Sequence, residues 1–193
     1  MIQLRYAGKE NGYACRLKLK RDDDMKIIIF GCGKIGKSIL SSLSREEHDI
    51  AVIDTDETVI ANIADAFDVM GICASGTSCD ALTKASVQSA GLFIAAAGSD
   101  ESNLLSCLTA KRMGAEHTAA RIGNRETGIE DPDFYKRELD ISMMINPELL
   151  TAQTIYNTLK FPSAVRSESF TRGRFEMAEL TVRADSILNG AVL

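Results

Sequence analysis

The chain is 193 residues long and 45% hydrophobic, which is material for one good core and a small appendage rather than two full domains. A formal net charge of −5 and a pI near 5.1 speak against a nucleic-acid binder, whose contact face is basic. The five cysteines, Cys15, Cys32, Cys73, Cys79 and Cys107, are odd in number, scattered and without a C-x-x-C pair; they suggest neither a disulfide framework nor a zinc site and fit a reducing cytoplasm.

Residues 1–24 are polar and mixed in charge, end in three aspartates and lack the apolar core of a signal peptide. The alternation in YACRLKLK is compatible with a short strand, but a loose, poorly ordered extension is the expectation. From Met25 onward short β-rich runs alternate with helix-like segments. The strands are expected at Lys26–Phe30, Ile50–Asp54, Asp68–Cys73, Leu92–Ala97, Thr118–Ile122 and Ser142–Asn146. The helices are expected at Lys34–Arg45, Glu57–Asp65, Cys79–Gln88, Glu101–Met113 and Pro132–Glu138. Strands this apolar, separated by helices of this length, make a parallel sheet covered on both faces, so residues 25–145 read as a doubly wound α/β domain. No run approaches the roughly 20 apolar residues of a membrane helix, and a soluble chain is expected.

The first strand leads into Gly31-Cys32-Gly33-Lys34-Ile35-Gly36, the spacing G-x-G-x-x-G, and from there into a helix. In that context Gly31 serves the tight turn, Gly33 lets backbone approach a pyrophosphate, and Gly36 lets helix and sheet pack closely. The amides that open the helix face the anion, and Lys34 adds a charge. Asp54 follows at the end of the second strand, 23 residues after Gly31, where a carboxylate takes both ribose hydroxyls and repels a 2′-phosphate. NAD is therefore favoured over NADP. The competing role for Asp54 is to stand at the start of a helix that Thr55 or Asp56 caps equally well.

The other strand ends lie on the same edge of the sheet. Ser75, Gly76 and Thr77 follow the third strand and border an adenine, with a cap at Thr77 or Ser78 as the alternative. After the fourth strand, Ala97 and Gly98 bring unobstructed backbone to the cofactor, and Ser99 or Asp100 caps the next helix. Arg121 ends the fifth strand, to meet a phosphate, an acidic partner or a surface ion pair. Residues 146–161 read as a helix opening at Pro147, with Leu149, Leu150, Ile155 and Leu159 as an apolar stripe. Residues 162–193 alternate like a β-hairpin turning at Arg172-Gly173-Arg174. The two histidines, His48 and His117, precede strands rather than follow them, and no proton-transfer group or substrate domain is evident; a ligand-sensing module is expected rather than an enzyme.

Taken in order, KIIIFGCGKIG, IAVIDTDE, ASGTSCDAL, IAAAGSDESNLL, AARIGNRE and INPELLTAQTI resemble the successive motifs of KTN/RCK (TrkA N-terminal) domains, from Met25 to about Leu193. The resemblance implies a Rossmann-like sheet, a crossover helix and the opening of a small β-containing C-terminal lobe that stops soon after it begins. It implies that Gly31 to Ile35 hold a pyrophosphate and Asp54 the adenosine ribose, that Ser75 lies near adenine, and that Arg121 reaches a phosphate or a neighbouring subunit. Ala97 and Gly98 stand where the family usually has two polar residues. The implied cofactor is NAD or NADH, with ATP or ADP as the alternative. The implied partners are further copies of the chain, as a dimer and then a ring through the crossover helix, and a membrane potassium-conducting subunit at the inner face of the cell membrane. A nucleotide would then act by biasing the relative orientation of two such domains.

Overall fold

The structure, a computed structural model, describes residues 25–46, 48–123, 132–160, 164–170 and 175–180. The expected N-terminal extension and the expected Arg172-Gly173-Arg174 turn lie outside the described residues. The chain divides into two compact units, one ending at Pro147 and the other beginning at Glu148.

In the first unit six strands form one parallel sheet: β1 (Lys26–Phe30), β2 (Asp49–Asp54), β3 (Met70–Cys73), β4 (Leu92–Ala95), β5 (His117–Arg121) and β6 (Met143–Ile145). Their order is β3-β2-β1-β4-β5-β6. Between them run α1 (Lys34–Leu43), α2 (Glu57–Ala66), α3 (Cys79–Lys84), α4 (Asp100–Met113) and α5 (Pro132–Glu138). The alternation of the strands sorts the core onto two faces. Ile28 and Phe30 pack with Ala51, Ile53, Phe93 and Ala95 against Leu82 of α3 and Leu104 and Cys107 of α4. Ile27 and Ile29 pack with Ile50 and Val52 against Leu40 of α1 and Ile63 of α2. Each such fully buried aliphatic side chain contributes roughly 1.5–3 kcal/mol, which is why the strand runs are apolar at every position rather than every second one. This is the doubly wound, Rossmann-like α/β fold expected from the alternation.

Several boundaries differ from expectation for local reasons. β4 stops at Ala95, not Ala97, because the Ala97 amide and carbonyl turn away to the side chain of Asn103. The helix expected over Cys79–Gln88 ends at Lys84, where Ser86 takes a left-handed conformation (φ 58°) and a 3-10 turn at Val87–Ser89 drops Val87 into the core. α1 closes at Leu43, with the Ser44 amide donating to the Leu40 carbonyl.

The second unit contains most of α6 (Pro147–Lys160), which opens on proline as expected, and an antiparallel pair, β7 (Ala164–Phe170) and β8 (Phe175–Leu180), in which Phe170 faces Phe175.

Candidate functional site

The sheet order reverses between β1 and β4. From β1 the chain winds outward to β2 and β3, and from β4 it winds the other way to β5 and β6. The loops leaving the carboxyl ends of β1 and β4 therefore diverge and leave a crevice, the place where open α/β sheets take ligands.

The glycine loop lines that crevice, and its three glycines do different things. Gly31 has φ +83°, and a Cβ there would run into the backbone of Ala96 and Ala97, so the loops from β1 and β4 touch at this point. The Gly31 amide donates to the Ile53 carbonyl at 2.9 Å, tying the loop to β2. A Cβ on Gly36 would overlap the Gly31 carbonyl, so the first turn of α1 seats directly on the loop. Gly33 is exposed, and a Cβ there would meet nothing within 4 Å. It is the N-cap of α1 and has no side chain to receive the amides that follow; Lys34 is exposed and Ile35 half-buried.

Cys32 and Asp54 join the loop to β2. The Cys32 amide donates to Asp54 Oδ2 at 2.6 Å, and the Asp56 amide donates to Oδ1 at 3.0 Å. A carboxylate has about four lone-pair sites, so acceptor capacity remains for two more hydroxyls. The Cys32 thiol is buried; burial, then the charge of Asp54, pushes it up to about 11 against a smaller opposing pull from Lys37, so it stays protonated. The cap of α2 is Asp56, which accepts from the Thr58 and Val59 amides and from the Thr58 hydroxyl. Asp54 is thus not used as the helix cap.

At the end of β3, the Ser75 and Thr77 hydroxyls lie 2.8 Å apart, and Ser78 caps α3 by accepting from the Ala81 amide. Gly76 is buried with the Phe30 ring over it, where a Cβ would overlap the ring; packing alone explains this glycine.

At the end of β4, Ala97 is half-buried and Gly98 exposed. Asn103, fully buried on α4, holds this exit in place. Its Oδ1 accepts from the Ala97 amide at 2.9 Å, and its Nδ2 donates to the Ala97 carbonyl at 3.0 Å and the Arg121 carbonyl at 2.9 Å. Arg121 Nη1 also donates to the Ala97 carbonyl, at 3.3 Å, and Asp100 Oδ1 accepts from the Gly123 amide at 2.9 Å. In sequence Asp100 was legible as a cap, and Asn103 only within the IAAAGSDESNLL motif. Their role depends on β5 lying beside β4, which no local pattern encodes.

The residues singled out in sequence therefore gather along one edge: Gly31 to Ile35 at β1, Asp54 at β2, Ser75 at β3, Ala97 and Gly98 at β4, Arg121 at β5. The histidines sit at the other edge, His48 just before β2 with Nε2 3.1 Å from Glu46, and His117 as the first residue of β5 with Nδ1 3.4 Å from the Ser142 hydroxyl. Among the described residues no group of three potential ligands could hold a metal ion, and no helix is long and apolar enough to cross a membrane. An adenosine nucleotide fits the chemistry at this edge. Open space at Gly33 and uncapped amides suit a diphosphate, and the spare acceptor capacity of Asp54 suits a ribose.

Comparison with known proteins agrees with this fold. Residues 27–147 match the family model of the TrkA-N domain. The Trk system potassium uptake protein trkA homolog 1 of Methanosarcina mazei is 34% identical over 173 residues, covering 86% of this chain and 42% of that protein. The chain thus spans about two fifths of that curated relative. Among solved structures, the TrkA-N domain of inner membrane protein ybaL from Escherichia coli aligns with a TM-score of 0.61 at 16% identity, over 69% of this chain and 96% of that one. The GsuK channel bound to NAD aligns at 0.53 and 20% identity, over 66% of this chain and 22% of that one. At these identities the structures speak for the fold alone.

Proposed function

The chain belongs to the TrkA-N domain family, and on that premise we propose that it is a nucleotide-binding regulatory domain of a potassium uptake system. The observation that carries this reading is the crevice itself: a glycine loop held to β2 through the Cys32–Asp54 hydrogen bond, with Gly33 open and the Asp54 carboxylate only partly used. The ligand is an adenosine nucleotide, NAD or NADH, with ADP or ATP as the second reading. Gly31, Cys32, Gly33, Lys34 and Ile35 receive the diphosphate, Asp54 the ribose, and Ser75 flanks the adenine, while Gly76 stays beneath the Phe30 ring. Ala97, Gly98 and Arg121 border the far half. A relative named as a Trk potassium uptake protein and structures of the GsuK channel bound to NAD and to ADP support this assignment.

The chain performs no chemistry on the nucleotide. It works in the cytoplasm, against the inner face of the membrane, through a potassium-conducting membrane subunit. Its self-association runs through the apolar stripe of α6, whose Ile155, Tyr156 and Leu159 are exposed. The β7–β8 pair belongs to a C-terminal lobe. A nucleotide that contacts one arrangement of two such domains better than the other shifts the balance between them, by no more than its differential affinity. The test is co-purification with a membrane potassium-conducting subunit from the same cells, with and without NAD, NADH, ADP or ATP. Nucleotide-dependent retention supports the reading. A chain that binds nucleotide yet never associates with a membrane subunit is a free sensor, and the transport assignment falls.

A further inference from the structure

The two sides of the crevice offer a ligand very different chemistry. On the β2 and β3 side, Asp54 keeps spare acceptor capacity, and the hydroxyls of Ser75 and Thr77 stand at the loop after β3. At the β4 exit itself the groups of Ala97, Asn103 and the Ser99 hydroxyl are already engaged. The Ala97 amide is taken by Asn103 Oδ1, and both lone pairs of its carbonyl are taken, by Asn103 Nδ2 and Arg121 Nη1. Both Asn103 amide protons are in use, on Ala97 and Arg121 carbonyls. The Ser99 hydroxyl gives its proton to Glu101 at 2.7 Å and accepts from the Ser102 amide at 3.2 Å. Between them stand a methyl group at Ala97 and no side chain at Gly98. Space is not what is missing, because a Cβ on Gly98 would meet nothing within 4 Å.

A site rejects or prefers a ligand strongly only where its own polar groups are left paired or unpaired by the difference. Methyl and glycine surface cannot supply that contrast. Building on the nucleotide-binding reading above, we propose that this chain selects its ligand by the adenosine diphosphate half alone and is indifferent to what the second phosphate carries. ADP, NAD and NADH then bind with affinities within about threefold of one another, because the nicotinamide riboside gains no side-chain hydrogen bond at the β4 exit. The domain consequently reports the summed pool of nucleotides that contain adenosine diphosphate, and the redox state of the nicotinamide passes unread.

The test is calorimetric titration of the full chain with ADP, NAD and NADH, in the wild type and in Gly98→Asn. The open space at Gly98 admits the asparagine, and its amide supplies the missing handle. The expected result is three similar dissociation constants in the wild type and a shift of about fivefold toward NAD and NADH over ADP in Gly98→Asn, the worth of one neutral hydrogen bond. Saturable binding of all three with a spread of tenfold or more in the wild type overturns the inference and leaves the nucleotide site standing. An unchanged preference in Gly98→Asn also overturns it, since the far half of the ligand then lies elsewhere. Failure of all three to bind overturns the nucleotide site and this inference together.

Discussion

The three loop glycines are separable by single substitutions because each meets a different neighbour. At Gly33 the added Cβ of alanine meets nothing in the protein, so folding stability changes by less than about 0.5 kcal/mol while the methyl group stands where a diphosphate approaches. Nucleotide affinity is expected to fall at least tenfold with an unaltered urea midpoint. Gly31→Ala is the converse case, strained by φ +83° and by overlap with the Ala97 backbone, and is expected to cost roughly 2 kcal/mol or more in urea denaturation. Thiol chemistry separates four of the cysteines in the same manner. Burial pushes Cys32 up to about 11 and Cys107 up to about 12, whereas Cys73 and Cys79 are exposed. Iodoacetamide at pH 8 is expected to label Cys73 and Cys79 in the folded protein and to reach Cys32 and Cys107 only after unfolding. Early labelling of Cys32 would mean that the loop opens on its own.

Where elements join, Asn103 is the residue with most at stake. Removing its amide in Asn103→Ala leaves the Ala97 amide and the Arg121 carbonyl short of partners beside a new cavity, a loss expected at roughly 2–4 kcal/mol by denaturant unfolding. The N-cap of α2 gives a pH-dependent signature. The Thr58 hydroxyl, then the Thr58 amide, hold the Asp56 carboxyl below its ordinary 3.8. A carboxyl lowered on folding stabilises above its unfolded value and loses that contribution as pH falls through the folded one. The stability gap between wild type and Asp56→Ala, full at neutral pH, is therefore expected to narrow as pH drops below 3.8. The elements themselves were largely legible in sequence, since the IIIF of Ile27–Phe30 and the IAVI of Ile50–Ile53 are apolar at every position and only a sheet covered on both faces demands that. What escaped was set by competition between neighbours. Thr55 and Asp56, or Thr77 and Ser78, are adjacent cap formers that pattern alone does not rank, and the left-handed turn at Ser86 follows from seating Val87 in the core. The reach of Asn103 from α4 to the end of β5 depends on strand order, which is a property of the assembled sheet.

For the whole molecule, the proposed nucleotide site and the proposed self-association surface lie in different parts of the chain. The crevice belongs to the sheet unit, while α6 presents Ile155 at 56%, Tyr156 at 61% and Leu159 at 74% exposure, the apolar surface to which the proposed self-association is assigned. Ile155→Glu with Leu159→Glu is expected to halve the mass seen by light scattering while nucleotide affinity stays within about twofold, since neither side chain belongs to the crevice. The place of the crevice was legible because glycine spacing, a following helix and an acid ending the next strand occur together; the pairing of the polar groups around it was not, because that is settled only inside the assembled fold. The central claim is that Asp54 holds the ribose of an adenosine nucleotide seated on the glycine loop. Equilibrium titration of wild type and Asp54→Ala with ADP and NAD, beside their thermal unfolding without nucleotide, tests it most directly. The account expects saturable binding that weakens tenfold or more in a variant that still unfolds cooperatively. Equal affinity in the two folded proteins, or no binding by the wild type, would contradict it.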